Sequence, residues 1–152
     1  MKVSNKRTFF ALFLAGCVLA GYFLWLSLRP VDIVAVHQSH HYSDVLVKTF
    51  PFTDKGKINW WLKNKDRLKS RYDIPRPASD GYYTVIFWDF GEGYKEEGKY
   101  DRLCFTDMQP PVNCIEKDPH IIVGYTTDGG EYFILESGEY YINRSGKIRK
   151  RK

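Results

Sequence analysis

The sequence predicts an α+β protein: an N-terminal single transmembrane helix followed by a small antiparallel-sheet domain with one amphipathic helix. Three observations predict it. An apolar block runs without interruption from Thr8 to Leu28, one stretch of helical period lies between Thr53 and Tyr72, and short alternating runs rich in Val, Ile and Tyr fill the remainder. At 152 residues with 43% hydrophobic content, the chain is too apolar to be disordered and long enough for one small domain beside the block. Three cysteines are too few for a disulfide-dense secreted scaffold.

The block Thr8–Leu28 holds 21 residues with no charge and no proline. About 20 apolar residues cover the roughly 30 Å hydrocarbon core of a bilayer, so the lipid bilayer is the predicted partner of residues 8–28. Lys2, Lys6 and Arg7 precede the block and Arg29 alone follows it before Pro30. The positive-inside bias therefore places residues 1–7 in the cytoplasm and exports everything from residue 30 onward. Tyr22 and Trp25 stand where an aromatic belt belongs. Within the block, Leu14-Ala15-Gly16-Cys17 is similar to a bacterial lipoprotein cleavage box. Against that rival, Val18–Leu28 stays apolar for eleven more residues, which an uncleaved helix uses and an acylated tether does not.

The exported part reads as an α+β domain over residues 30–146 with a basic tail at 147–152. Val31–Val36 and Asp44–Phe50 are short strands around a polar loop, His37–Ser43. Thr53 or Asp54 caps a helix with Ile58, Trp61, Leu62, Leu68 and Tyr72 on one side, and Gly56 moves its regular part toward Lys57. Pro75 and Pro77 keep the next segment extended. Tyr82–Phe90 is apolar on both faces and so central, with Tyr100–Thr106 as its antiparallel partner. His120–Tyr125, Glu131–Leu135 and Glu139–Asn143, separated by Asp128-Gly129-Gly130 and Ser137-Gly138, form a meander.

Charge is segregated along this domain. Asp73–Glu139 carries 14 acids and five bases, Thr53–Tyr72 seven bases and two acids, and the last 13 residues six bases and no acid. A pI near 9.0 therefore comes from the anchor flanks, the helix and the tail, and predicts no nucleic-acid partner.

Four constellations bear on function. Cys104 and Cys114 are predicted to pair as a structural disulfide in an oxidising compartment, since the spacing is not that of a redox CxxC motif. His37, His40 and His41 offer imidazoles beside Asp44, but lack the spacing that marks a metal site and read as solvated loop residues. Glu92, Glu96, Glu97 and Asp101, with Tyr94 and Tyr100, have the composition of a partner surface around a hairpin tip, and their spacing does not fit a calcium loop. No G-x-S-x-G elbow, H-E-x-x-H helix, phosphate-binding loop or dinucleotide fingerprint occurs, so the sequence predicts a binding protein without a cofactor or metal.

The strings FWDFGEGYKEEGKYDRLCF from Phe87, LRPVDIVAVH from Leu28 and FPFTDKGKINWWLKNK from Phe50 resemble an enterobacterial membrane-protein family, domain of unknown function 943. The likeness spans the anchor and the domain through Cys114. It carries no catalytic residues. It implies an inner-membrane protein with a periplasmic domain, and an expected clustering of its genes with those of secreted antibacterial toxins points to an immunity role with a toxin as protein partner.

Overall fold

The computed structural model describes the backbone of residues 2–152 and the side chains of residues 5–152. Met1 and the Lys2 side chain, both counted in the predicted cytoplasmic segment, lie outside the described residues. Two compact units divide at Pro30/Val31.

The first unit is helix α1, Lys2–Leu28, about 40 Å long at 1.5 Å per residue. Its stretch Asn5–Leu28 is long and apolar enough to cross a membrane, and none of it is buried. Helical backbone satisfies its own polar groups, which is the condition for lying in hydrocarbon. The Ser27 hydroxyl does the same by donating to the Phe23 carbonyl at 2.9 Å. Just past the C-terminus of the helix, the Arg29 guanidinium lies 5.0 Å from the centre of the Trp25 ring, a cation held on an aromatic face.

The second unit, Val31–Lys152, contains β1 (Asp32–Ser39), β2 (Tyr42–Lys48), α2 (Asp54–Tyr72), β3 (Tyr83–Asp89), β4 (Lys95–Glu96), β5 (Arg102–Cys104), β6 (Val112–Glu116), β7 (Pro119–Thr126), β8 (Gly130–Leu135), β9 (Gly138–Ile142) and β10 (Ile148–Lys150). Seven strands form one sheet in the order β1-β2-β3-β7-β8-β9-β10, and β4-β6-β5 form a second. The fold is α+β, with every strand pair antiparallel except β2–β3, which run parallel because α2 carries the chain back between them.

Helix α2 starts at Asp54, not near Lys57, despite Gly56. The Thr53 hydroxyl accepts from the Gly56 N–H at 3.0 Å, and a Cβ at Gly56 would stand 2.8 Å from that oxygen. The glycine thus makes room for the cap that offsets its poor helix propensity. At the other end Asp73 takes the left-handed conformation usual for glycine, with its carboxylate fixed by Lys69 and Arg76. Those two cations hold the Asp73 carboxyl below its ordinary range.

Between α2 and one face of the large sheet lies the main core: Ile58, Trp61 and Leu68 from the helix against Val45, Val47, Val85, Phe87, Ile121, Val123 and Phe133. Strand β3 is central, as its two apolar faces require, but its neighbours are β2 and β7. The expected partner, Tyr100–Thr106, belongs to the second sheet instead. After Phe90, Gly91 and Gly93 adopt positive φ and turn the chain away before it can form a hairpin with β3. Two further boundaries differ from the sequence reading. The loop His37–Ser43 contracts to a turn at His40-His41, because Ser39 pairs with Tyr42 and both strands continue through His37 and Ser43. Residues 148–150 of the expected tail form β10, with Ile148 opposite Ile142 and packed on the core. The Asn143 carboxamide oxygen accepts from the Ser145 and Lys147 N–H groups, closing the turn that returns the chain.

Candidate interaction surfaces

The second sheet covers one corner of the large sheet's outer face. Leu46, Phe105 and Ile115 are buried there, with Ala35, Trp88, Phe90, Tyr94, Leu103 and Met108 packed around them. Cys104 and Cys114 face each other across β5 and β6, their Cα atoms 4.0 Å apart, and are joined by a disulfide. The bond ties together a sheet too small to hold its own register.

His37 secures this sheet to the large one and is not a solvated turn residue. It is buried on β1, stacked on Phe105, and its Nδ1 meets the Asp107 carboxylate at 2.8 Å while Nε2 meets the Tyr94 hydroxyl at 2.9 Å. Opposite it on β2, Asp44 accepts from the Trp88 indole at 2.8 Å, and burial raises its carboxyl above the ordinary range. The three histidines separate: His40 is exposed at the turn tip and His41 bonds the Arg76 carbonyl. Among the described residues, no group of three His, Cys, Asp or Glu could hold a metal ion.

The acidic hairpin residues divide in the same way. Glu92, Glu96, Glu97, Tyr100 and Asp101 are exposed, whereas Tyr94 turns inward to His37. Bases soften the patch: Lys95 pairs with Glu92 three residues before it, and Lys117 with Asp101, while Arg102 lies on the Tyr100 ring and bonds Glu116. Glu96 and Glu97 make no ion pair among the described residues.

A second surface escaped the sequence reading. Beyond the corner covered by the small sheet, the register aligns two rows across the outer face. One contains Tyr42, Thr84, Gly124, Tyr132, Tyr141 and Arg149; the other contains Asp44, Ile86, Ile122, Ile134 and Glu139. Tyr42 is 50% and Ile134 40% exposed, and Ile86, Ile122, Tyr132 and Tyr141 are half-buried. The Tyr42 hydroxyl bonds that of Tyr82, which also receives the Thr84 hydroxyl. The signal was the outward parity of β3, β7, β8 and β9, but strand order is needed to see that these residues form one strip. Beside the isoleucine row, where β7 begins and β8 ends, a cleft of about 360 Å³ opens between Ile122, Ile134, Asp118 and Glu136.

A further cleft of about 440 Å³ lies where β2 and β3 end and α2 begins, lined by Phe50, Lys57, Asp89, Asp118 and His120. His120 stacks on Phe50, and its Nε2 stands 3.9 Å from Asp89. Burial, helped by Lys57, holds the imidazole below its ordinary value against the opposing pull of Asp89 and Asp118.

Neither the curated proteins nor the solved structures contain a match to this chain. A family model does match, over residues 2–152, and so extends the likeness seen through Cys114 across the meander and β10. The chain belongs to the family described as enterobacterial putative membrane protein, DUF943.

Proposed function

We propose that this chain is a single-pass inner-membrane protein whose periplasmic domain binds another protein, and that the binding neutralises an envelope-acting antibacterial toxin. One observation carries the reading: a disulfide-linked domain follows directly on a lone apolar helix. Disulfides persist in exported compartments, and the positive-inside bias of Lys2, Lys6 and Arg7 points the same way. A tether of this kind raises the local concentration of a binding domain at the membrane a toxin attacks. The proposed role needs no catalytic step and no cofactor. Exposed Glu92, Glu96, Glu97, Tyr100 and Asp101, with Tyr94 supporting them from inside, are one candidate contact; the tyrosine and isoleucine strip is the other.

The test is binding of the purified full chain, in detergent or nanodiscs, to the toxin encoded beside its gene. Saturable binding together with protection of cells producing that toxin in the periplasm is expected. Binding without protection removes the immunity role, and absence of both removes the toxin partner. A second reading, an envelope protein that binds a small ligand, draws on the cleft at Asp89, Asp118 and His120, which lies at the carboxyl ends of parallel strands where ligands commonly bind.

A further inference from the structure

Two surfaces are open to the proposed partner. We infer that it docks on the outer face of the large sheet, across Tyr42, Tyr132, Tyr141, Ile86, Ile122 and Ile134, and that it presents an apolar ridge with carboxylates at the end that meets β10. The inference rests on the protein-binding reading.

Three features carry it. First, the strip is continuous: from β2 to β10 it crosses six adjacent strands, about 24 Å at the usual strand spacing, enough for the buried centre of an interface. Second, its composition is what such centres use. Tyrosines supply large rigid contact area with a polar tip, and the cleft beside Ile122 and Ile134 accepts an apolar anchor. The ring of Tyr132 lies over Gly124, where a Cβ would stand 2.3 Å from it, so this contact residue is already ordered before a partner arrives.

Third, charge gives the strip a direction. Arg149 shares the row of Tyr132 and Tyr141, is exposed, and makes no ion pair among the described residues, whereas its neighbour Arg151 is taken by Glu139 at 2.6 Å. Lys147 is exposed nearby in the chain, so this end favours carboxylates, whereas Lys150 points to the other face, over the Tyr140 ring. Away from that end, beyond the isoleucine row where β7 begins and β8 ends, Asp118 and Glu136 flank the cleft and disfavour them. A partner is thereby held in one orientation, since like charges placed together across an interface are strongly unfavourable.

Photo-cross-linking of the full, membrane-anchored chain in cells tests this, with p-benzoylphenylalanine placed in turn at Ile134, Tyr141, the hairpin residue Glu97 and the exposed α2 residue Lys63. Adducts are expected from Ile134 and Tyr141 and not from Lys63, and the cross-linked peptide of the captured protein should contain acidic residues. That protein, purified, should bind the full chain in nanodiscs, and Arg149→Glu should weaken binding by about tenfold or more through like-charge contact while the melting temperature stays unchanged. A cross-linked peptide without acids, or full binding by Arg149→Glu, overturns the assigned chemistry. An adduct with a second copy overturns the choice of occupant. Adducts from Glu97 alone overturn this face but leave protein binding intact, and no adduct from any position overturns both.

Discussion

The imidazole of His37 lies flat on the ring of Phe105, with centroids 3.8 Å apart and planes 10° from parallel. One residue belongs to β1 of the large sheet and the other follows β5 of the small one, so this stack, with the bonds to Asp107 and Tyr94, joins the two layers. His37→Ala removes the stack and leaves a cavity beside two unpartnered polar groups, a loss of about 3 kcal/mol. His37→Phe restores the ring but not the bonds and should recover part of it. Thermal melting gives the size of the effect, and amide exchange should show it concentrated in β4, β5 and β6.

The space beside Gly124, in β7, is filled by the side chain of a neighbouring strand. A Cβ there would meet the Tyr132 ring at 2.3–2.7 Å. Gly124→Ala must therefore push the ring off the strand, at a cost of about 1–3 kcal/mol. Tyr132→Ala in the same background should remove most of that penalty, which a double-mutant cycle on melting measures.

What was legible in the sequence follows from periodicity. The apolar block, the α2 stripe of Ile58, Trp61 and Leu68, and the alternation of β3 each announce themselves within a few residues, and the structure has all three. The cysteine pair was legible because only Cys104 and Cys114 lie outside the anchor. Partnerships were not legible. Whether Arg102–Cys104 pairs with β3 or with Val112–Glu116 depends on the positive-φ turns at Gly91 and Gly93, and local alternation is the same in both cases. His37 reads as polar and solvated because Phe105, Asp107 and Tyr94, which make its burial favourable, are more than fifty residues away. The outer strip stayed hidden for the same reason: Ile86 looks covered until strand order shows that the small sheet shields Trp88 and Leu46.

His120 sets the pH dependence between neutral and mildly acidic conditions. Its folded value lies below the ordinary 6.5, chiefly through burial, so the unfolded chain binds more protons in the window between the two. Stability is then full above 6.5 and falls as the pH drops toward the folded value. His120→Gln should flatten that part of the curve, while acid loss nearer the carboxylate range, to which Asp54 and Asp73 contribute through their lowered values, persists. Chemical denaturation at a series of pH values measures both.

Cys104 and Cys114 should be found oxidised in protein isolated under alkylating conditions, with a mobility shift on reduction. Replacing both with serine should cost about 2–5 kcal/mol, lower abundance and weaken partner binding through loosening of the small sheet. An unchanged melting temperature in the double variant would show that the strand register holds without the bond.

In the proposed role, everything after α1 lies outside the cytoplasm on an uncleaved anchor. Alkaline phosphatase fused after Lys152 tests it most directly, because that enzyme is active only where disulfides form. The predicted result is an active fusion, retained in the membrane fraction at the mass of the unprocessed chain. An inactive fusion, with β-galactosidase active at the same position, would place the domain in the cytoplasm and contradict the claim.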